Sequence, residues 1–208
     1  MTKFEGENYH NPLNRKLAIY KVGILGSSPL DFMEELSSGI GAGYVSSDKV
    51  RKELLDKRDE VGMSPKKAQH IDMRRIQEIL EKRSLSLLEN DDSLVIDMFM
   101  NSIRSREFAE VIARESGSLA IALCLRTSRR VAYNRVDKWA KNDEFIIPVN
   151  RWNQHPIVAA KEMAKHVTYP TLNESPDYII DIDGSDETQY LVDQVKESLD
   201  NIASNIAD

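Results

Sequence analysis

A single cysteine among 208 residues excludes a disulfide framework and suits a reducing compartment, the cytoplasm. That residue, Cys124, lies in the apolar run Ser118-Leu-Ala-Ile-Ala-Leu-Cys-Leu125 and reads as a small buried hydrophobe. No apolar run approaches the ~20 residues that span a bilayer. The opening stretch, Met1-Thr-Lys-Phe-Glu-Gly-Glu-Asn, lacks the apolar core of a signal peptide. Positive charge is not in excess: 28 Lys and Arg against 34 Asp and Glu give a net charge of −6. That balance argues against a broad footprint for nucleic acid and leaves only a local basic stretch at 126–138. His10, His70, His155 and His166 show no ligand spacing, so a histidine or cysteine metal site has no support. Internal repeats and low-complexity segments are absent.

What is present is organised around Leu17-Ala-Ile-Tyr-Lys-Val-Gly23-Ile-Leu-Gly26-Ser27-Ser28-Pro29-Leu30-Asp31. An apolar run ends in glycines and serines, and the apolar-periodic Phe32-Met-Glu-Glu-Leu36 follows. This reads as strand, tight turn, helix, the context in which loop amides and a helix N-terminus bind phosphate. A simple strand-to-helix turn explains the same residues without a ligand. The phosphate-loop spacing G-x-x-x-x-G-K-[ST], laid on Gly23, asks for glycine at 28, lysine at 29 and serine or threonine at 30. The chain offers Ser28, Pro29 and Leu30.

Along the chain, residues 1–16 are a polar arm and 17–208 form one domain. Strands are expected at about 17–25, 44–46, 94–98, 118–126 and 177–182. Helices are expected at about 31–38, 47–57, 66–89, 103–115, 128–141, 155–167 and 186–205. Near-continuous apolar strands alternating with helices argue for an α/β three-layer sandwich with a mostly parallel five-stranded sheet. Ligands bind beyond the carboxyl ends of such strands. The polar residues expected there are Gly26-Ser27-Ser28, Ser47-Asp48 and Asp97. Asp48 reads equally well as a helix N-cap. Asp97, on an otherwise apolar strand, needs a partner for its carboxylate. Arg126, Arg129, Arg130 and Arg135 read either as a solvated helix face or as an anion-binding lid over about 127–153. Trp139 and Trp152 read as packing residues beside that lid.

Taken in order, four stretches resemble the P-loop small-molecule and polynucleotide kinases, the group that includes zeta-toxin-like proteins. They are Gly23-Ile-Leu-Gly26-Ser27-Ser28; Val45-Ser-Ser-Asp48-Lys-Val-Arg51, similar to S-S-D-x-x-R; Leu94-Val-Ile-Asp97; and Tyr169-Pro170-Thr-Leu-Asn-Glu174-Ser-Pro-Asp177, similar to F-x-x-P-x-x-x-E-G-F-D. The resemblance spans roughly 17–200. It implies a P-loop kinase-like fold, with ATP and Mg²⁺ as cofactors and a small molecule, nucleotide or nucleic-acid end as acceptor. It further implies phosphate binding by Gly23, Gly26, Ser27 and Ser28. Asp48 would be the base, Arg51 the acceptor clamp, Arg135 a lid arginine and Asp97 a carboxylate on the Mg²⁺ side.

The departures fall on the chemistry. Pro29 brings no cation and removes a backbone N–H. Leu30 cannot ligate Mg²⁺, and Ser28 replaces a glycine that lets phosphate approach. Trp139 stands where a second lid arginine is expected. Losing one preorganised donor costs about 10²–10³ in rate, so binding of ATP and Mg²⁺ at this loop is expected to be weak or absent. Lys21, in the first strand, would reach the site only by an unusual route, and Lys16 lies outside it. The expectation is a pseudokinase that binds a ligand or a protein partner, away from membranes. Two alternatives are a working kinase with a non-standard cation and an interaction protein whose cleft is filled. A nucleotidyltransferase reading of Gly26-Ser-Ser-Pro-Leu-Asp31 fails because both histidines of that loop are missing.

Overall fold

The computed structural model describes residues 9, 11–60, 73–90, 93–142, 156–171, 174 and 176–207. Five parallel strands form one sheet in the order β2-β3-β1-β4-β5. They are β1 (Leu17–Val22), β2 (Gly43–Ser46), β3 (Ser93–Asp97), β4 (Leu119–Leu125) and β5 (Tyr178–Ile182). The helices are α1 (Phe32–Ile40), α2 (Ser47–Glu60), α3 (Met73–Asn90), α4 (Ile103–Ser116), α5 (Arg129–Lys141), α6 (Pro156–Ala164) and α7 (Thr188–Ala207). The α/β sandwich and parallel sheet expected from the alternating pattern are therefore present.

Strand alternation sends two sets of side chains to opposite faces. Ala18, Tyr20 and Val22 pack with Ile76, Leu80 and Leu88 of α3 and Ala109, Ile112 and Ala113 of α4. Leu17 and Ile19 pack with Phe32, Met33 and Leu36 of α1 and Leu191, Val195 and Leu199 of α7. Each strand is thus buried on both sides, which is why the central ones read as unbroken apolar runs.

Several boundaries differ from expectation: α1 runs on to Ile40 and α2 to Glu60, past the expected 38 and 57. β1 stops at Val22 rather than at 25. Ile24 and Leu25 are apolar because helices cover them, and strand pairing plays no part. α6 ends at Ala164, and Lys165 and His166 turn back onto Glu162 and Met163 carbonyls. α7 begins at Thr188 rather than 186. The expected start of α3 at 66–72, the tail of the lid at 143–153 with Trp152, and most of the N-terminal arm lie outside the described residues. Tyr9 of that arm donates its hydroxyl to Asp200 Oδ1 at 3.2 Å, and Leu13 joins the α1–α7 face of the core.

One ion pair, built on a fully buried arginine and a largely buried glutamate, ties two distant segments together. Arg106 of α4 is 0% exposed. Its Nε donates to Glu174 Oε2 at 3.0 Å, a second guanidinium nitrogen reaches the same oxygen, and Nη1 donates to the Thr168 carbonyl at 2.6 Å. Thr168 and Glu174 are held against α4 in this way. Among the described residues no helix is long and apolar enough to cross a membrane.

Candidate functional site

The loop after β1 is folded by its own chain. The Ser27 amide donates to the Ile24 carbonyl at 2.9 Å, and Gly26 takes φ +85°, a left-handed conformation that suits glycine. A Cβ on Gly26 would also sit 2.2 Å from the Ala132 carbonyl of α5. The Gly23 amide donates to Asn101 Oδ1 at 3.2 Å, so the loop's first donor is already satisfied. Thr127 donates its hydroxyl to the Ser27 carbonyl at 2.5 Å. Ser128, rather than Thr127, caps α5 by accepting from the Val131 amide.

The apex of the loop lies under α5 and α6. Leu25, 8% exposed, packs with Val136, Trp139 and Ala160, with Phe99, Tyr133, Ile157 and Met163 around them. Ile24 packs with Ala132 and Ala164. Trp139 is thus a packing residue on the loop itself. Ser27 and Ser28 are buried, whereas Leu30 is 38% exposed.

The start of α1 adds two negative groups. Glu34 and Glu35 occupy its first turn, where they interact favourably with the helix dipole; Glu34 pairs with Lys49 Nζ at 2.7 Å, which leaves Glu35 as the charge that opposes a bound phosphate. Asp31 makes no cap to α1; its carboxylate accepts the Thr188 hydroxyl at 2.6 Å.

Beyond the carboxyl ends of β1, β2 and β3 lies a second, charged cluster. Asp97 Oδ1 pairs with Lys21 Nζ at 2.7 Å, and Asp97 Oδ2 accepts the Tyr44 hydroxyl at 2.9 Å. Both oxygens of the strand carboxylate are therefore partnered, which answers its burial. Lys21 does reach the cleft. It shares the face of Leu17 and Ile19, but at the strand's end that face leaves the core and meets Asp97 across the sheet. Lys16 points to the other end of the sheet, where Nζ donates to the Leu88 carbonyl.

Asp48 and Arg51 pair at 2.6 Å on the first turn of α2. The amides of Asp48 and Lys49 are accepted by Ser46 Oγ at 3.3 and 3.4 Å, so Ser46 takes the capping role that the sequence offered to Asp48. Burial in the cleft raises the Asp48 pKa, Asp97 adds to the rise, and Arg51 and Lys21 oppose it. Solvent reaches half of that side chain, which limits the effect. Burial, followed by the charge of Asp97, likewise holds the Tyr44 phenol in its protonated form. The cluster offers one recessed carboxylate, a buried guanidinium, an ammonium and a phenol within one cleft.

Arg135 is placed elsewhere. Its Nη1 donates to the Gly184 and Gly26 carbonyls at 2.6 and 3.3 Å, and Nη2 to those of Ser185 and Asp186 at 2.9 and 3.1 Å. It ties α5 to the loop and to the turn after β5. Arg126 stacks on the Tyr169 ring at 3.8 Å and pairs with Asp181 at 2.6 Å. Tyr44, Ser46, Asn101, Arg106 and Gly184 were not singled out by sequence. Their partners lie on other elements, and only the polar-residue-on-apolar-strand signal that marked Asp97 pointed toward any of them.

The donor set at the loop does not fit Mg·ATP. Under the phosphate-loop spacing the cation would fall on Pro29 and the metal hydroxyl on the exposed Leu30, and the helix start is acidic. Asp97 has both oxygens engaged, and among the described residues no three His, Cys, Asp or Glu side chains converge as metal ligands.

No family model matches this sequence, and no curated protein does. Solved structures do match in shape. A candidate kinase from Chloroflexus aurantiacus superposes with a TM-score of 0.63 at 14% identity, covering 91% of this chain and 98% of its own. A gluconokinase from Sinorhizobium meliloti gives 0.58 at 15%, covering 94% and 97%. A sugar kinase from Janibacter gives 0.56 at 13%, covering 90% and 95%. The chain therefore shares its overall α/β fold with these kinase structures.

Proposed function

We propose that this chain is a kinase-fold protein that no longer transfers phosphoryl groups from Mg·ATP and instead binds a small polar ligand or a protein partner at its carboxyl-end cleft. One observation carries the reading. The loop of residues 23–31 presents proline, leucine and an acidic helix start where phosphate needs amides and cations, while its apex is sealed by α5 and α6. The chemistry that remains is on the other side of the cleft, in Asp48, Arg51, Asp97, Lys21 and Tyr44. These groups can orient hydroxyls and anions by charge-assisted hydrogen bonds, each worth about 1.5–3 kcal/mol.

A second reading rests on Lys21. Its ammonium lies beside Asp97 in the cleft, where a working kinase could use it in place of the missing loop lysine. The ion pair with Asp97 has first to be broken, and the phosphate would still meet Glu35.

The descent of the loop is testable directly. The triple variant Ser28→Gly, Pro29→Lys, Leu30→Ser is expected to gain Mg²⁺-dependent stabilisation by ATP, read as a rise in Tm that the wild type does not show. Ligand at a hundredfold its Kd would stabilise by about 2.7 kcal/mol. A triple variant that folds but shows no gain would count against a phosphate-binding ancestry.

A further inference from the structure

Four backbone carbonyls, those of Gly26, Gly184, Ser185 and Asp186, converge on one guanidinium. Two of the segments that supply them are shaped without its help. The turn after β5 is set by the Asp183 carboxylate, which accepts the Ser185 amide at 3.0 Å. Gly184 is pressed so closely to the loop that a Cβ there would lie 1.9 Å from the Ser27 carbonyl. The loop side is fixed by the Ile24–Ser27 turn and by Thr127. The walls of the crevice are therefore acceptors held in place by other contacts, and the nearby Asp183 and Asp186 make it electronegative. Such a crevice selects a planar group with several N–H donors, and a guanidinium carries five in a fixed fork.

We propose that this crevice is a receptor for a planar N–H-donor edge, that Arg135 is its internal occupant, and that this occupancy latches α5 closed over the 23–31 loop. Arg135 sits on the same helix that supplies Ala132, Val136 and Trp139 to the loop's cover. Removing the latch therefore loosens the cover and frees the crevice for an external amidinium, guanidinium or amino-substituted ring. The inference builds on the reading of the loop as sealed, but its test uses no nucleotide.

In Arg135→Ala, hydrogen exchange at the amides of residues 24–28 and of α5 is expected to accelerate about 10- to 100-fold, the loss of one or two charge-assisted bonds. Methylguanidinium at millimolar, non-denaturing concentration is expected to restore slow exchange saturably. Tetramethylammonium at equal concentration should not, and the wild type should respond to neither. Unchanged exchange in the alanine variant, or restoration by both cations alike, overturns the proposal. Arg135→Lys keeps the charge but cannot span four carbonyls. Should the alanine variant fail to fold, wild-type exchange in the lysine variant overturns the proposal in the same way, and faster exchange supports it. Failure of the latch would leave the loss of the ATP site standing. Mg·ATP binding by the wild type would end that reading, and the exchange measured in Arg135→Ala would still test the latch separately.

Discussion

Glu174→Ala is expected to destabilise the protein by about 3–5 kcal/mol, the usual cost of stranding one partner of a buried ion pair. For a chain of this length that lowers Tm by roughly 6–20 °C. Arg106 is fully buried and spends two of its nitrogens on a single Glu174 oxygen. Without Glu174 the guanidinium keeps only the Thr168 carbonyl and stays out of water. The same change unties the segment leading into β5 from α4. Replacing both partners separates charge from packing. Arg106→Met with Glu174→Leu removes the stranded charge and should recover much of the lost stability, because burying a charge pair is itself costly. Thermal unfolding of the single and double variants is the check. A drop of only a degree or two in the single variant would mean that water reaches Arg106.

Gly184→Ala is expected to cost about 3 kcal/mol, near the upper end for an overpacked site. The new methyl would lie 1.9 Å from the Ser27 carbonyl and 2.5 Å from Thr127 Oγ1, and both belong to the hydrogen bond that pins the loop. Backbone cannot swing aside as a long side chain can, so either the loop or the turn after β5 must move. Gly117 offers the contrast. It takes φ +69° at the end of α4 but has open space around it. An alanine there meets only backbone strain, about 1–2 kcal/mol. Chemical denaturation of the two variants should rank Gly184→Ala well below Gly117→Ala. The reverse order would mean that the loop and the turn are not in contact.

The sheet and its helices were legible because burial on both faces leaves apolar runs, and because glycines and caps punctuate them. Ser128 caps its helix, as its place before an apolar-periodic segment suggests, while the Ser102 cap emerges only in the structure. The strand order cannot be read from periodicity, which does not say which strands are neighbours; the structure supplies it. β1 is shorter than its apolar run because a residue covered by a helix and a residue in a buried strand are equally apolar; Ile24 and Leu25 are the former. Lys21 was set aside because alternation along a strand predicts a face. It does not say where that face runs out of core and opens on a cleft. Asp48 was ambiguous between cap and site, and only the position of the Ser46 hydroxyl separates the two. Arg106 looked like any charged residue on an amphipathic helix, since its partner lies 68 positions away.

The proposed loss of the ATP-phosphate site is tested most directly by calorimetric titration of the wild-type protein with Mg·ATP, followed by turnover with γ-labelled ATP on the same sample. The expected result is no saturable, Mg²⁺-dependent heat at millimolar nucleotide and no transfer of label. Saturable binding with turnover that disappears in Asp48→Asn and in Lys21→Met would contradict it, and would make this chain a working kinase with its cation on β1.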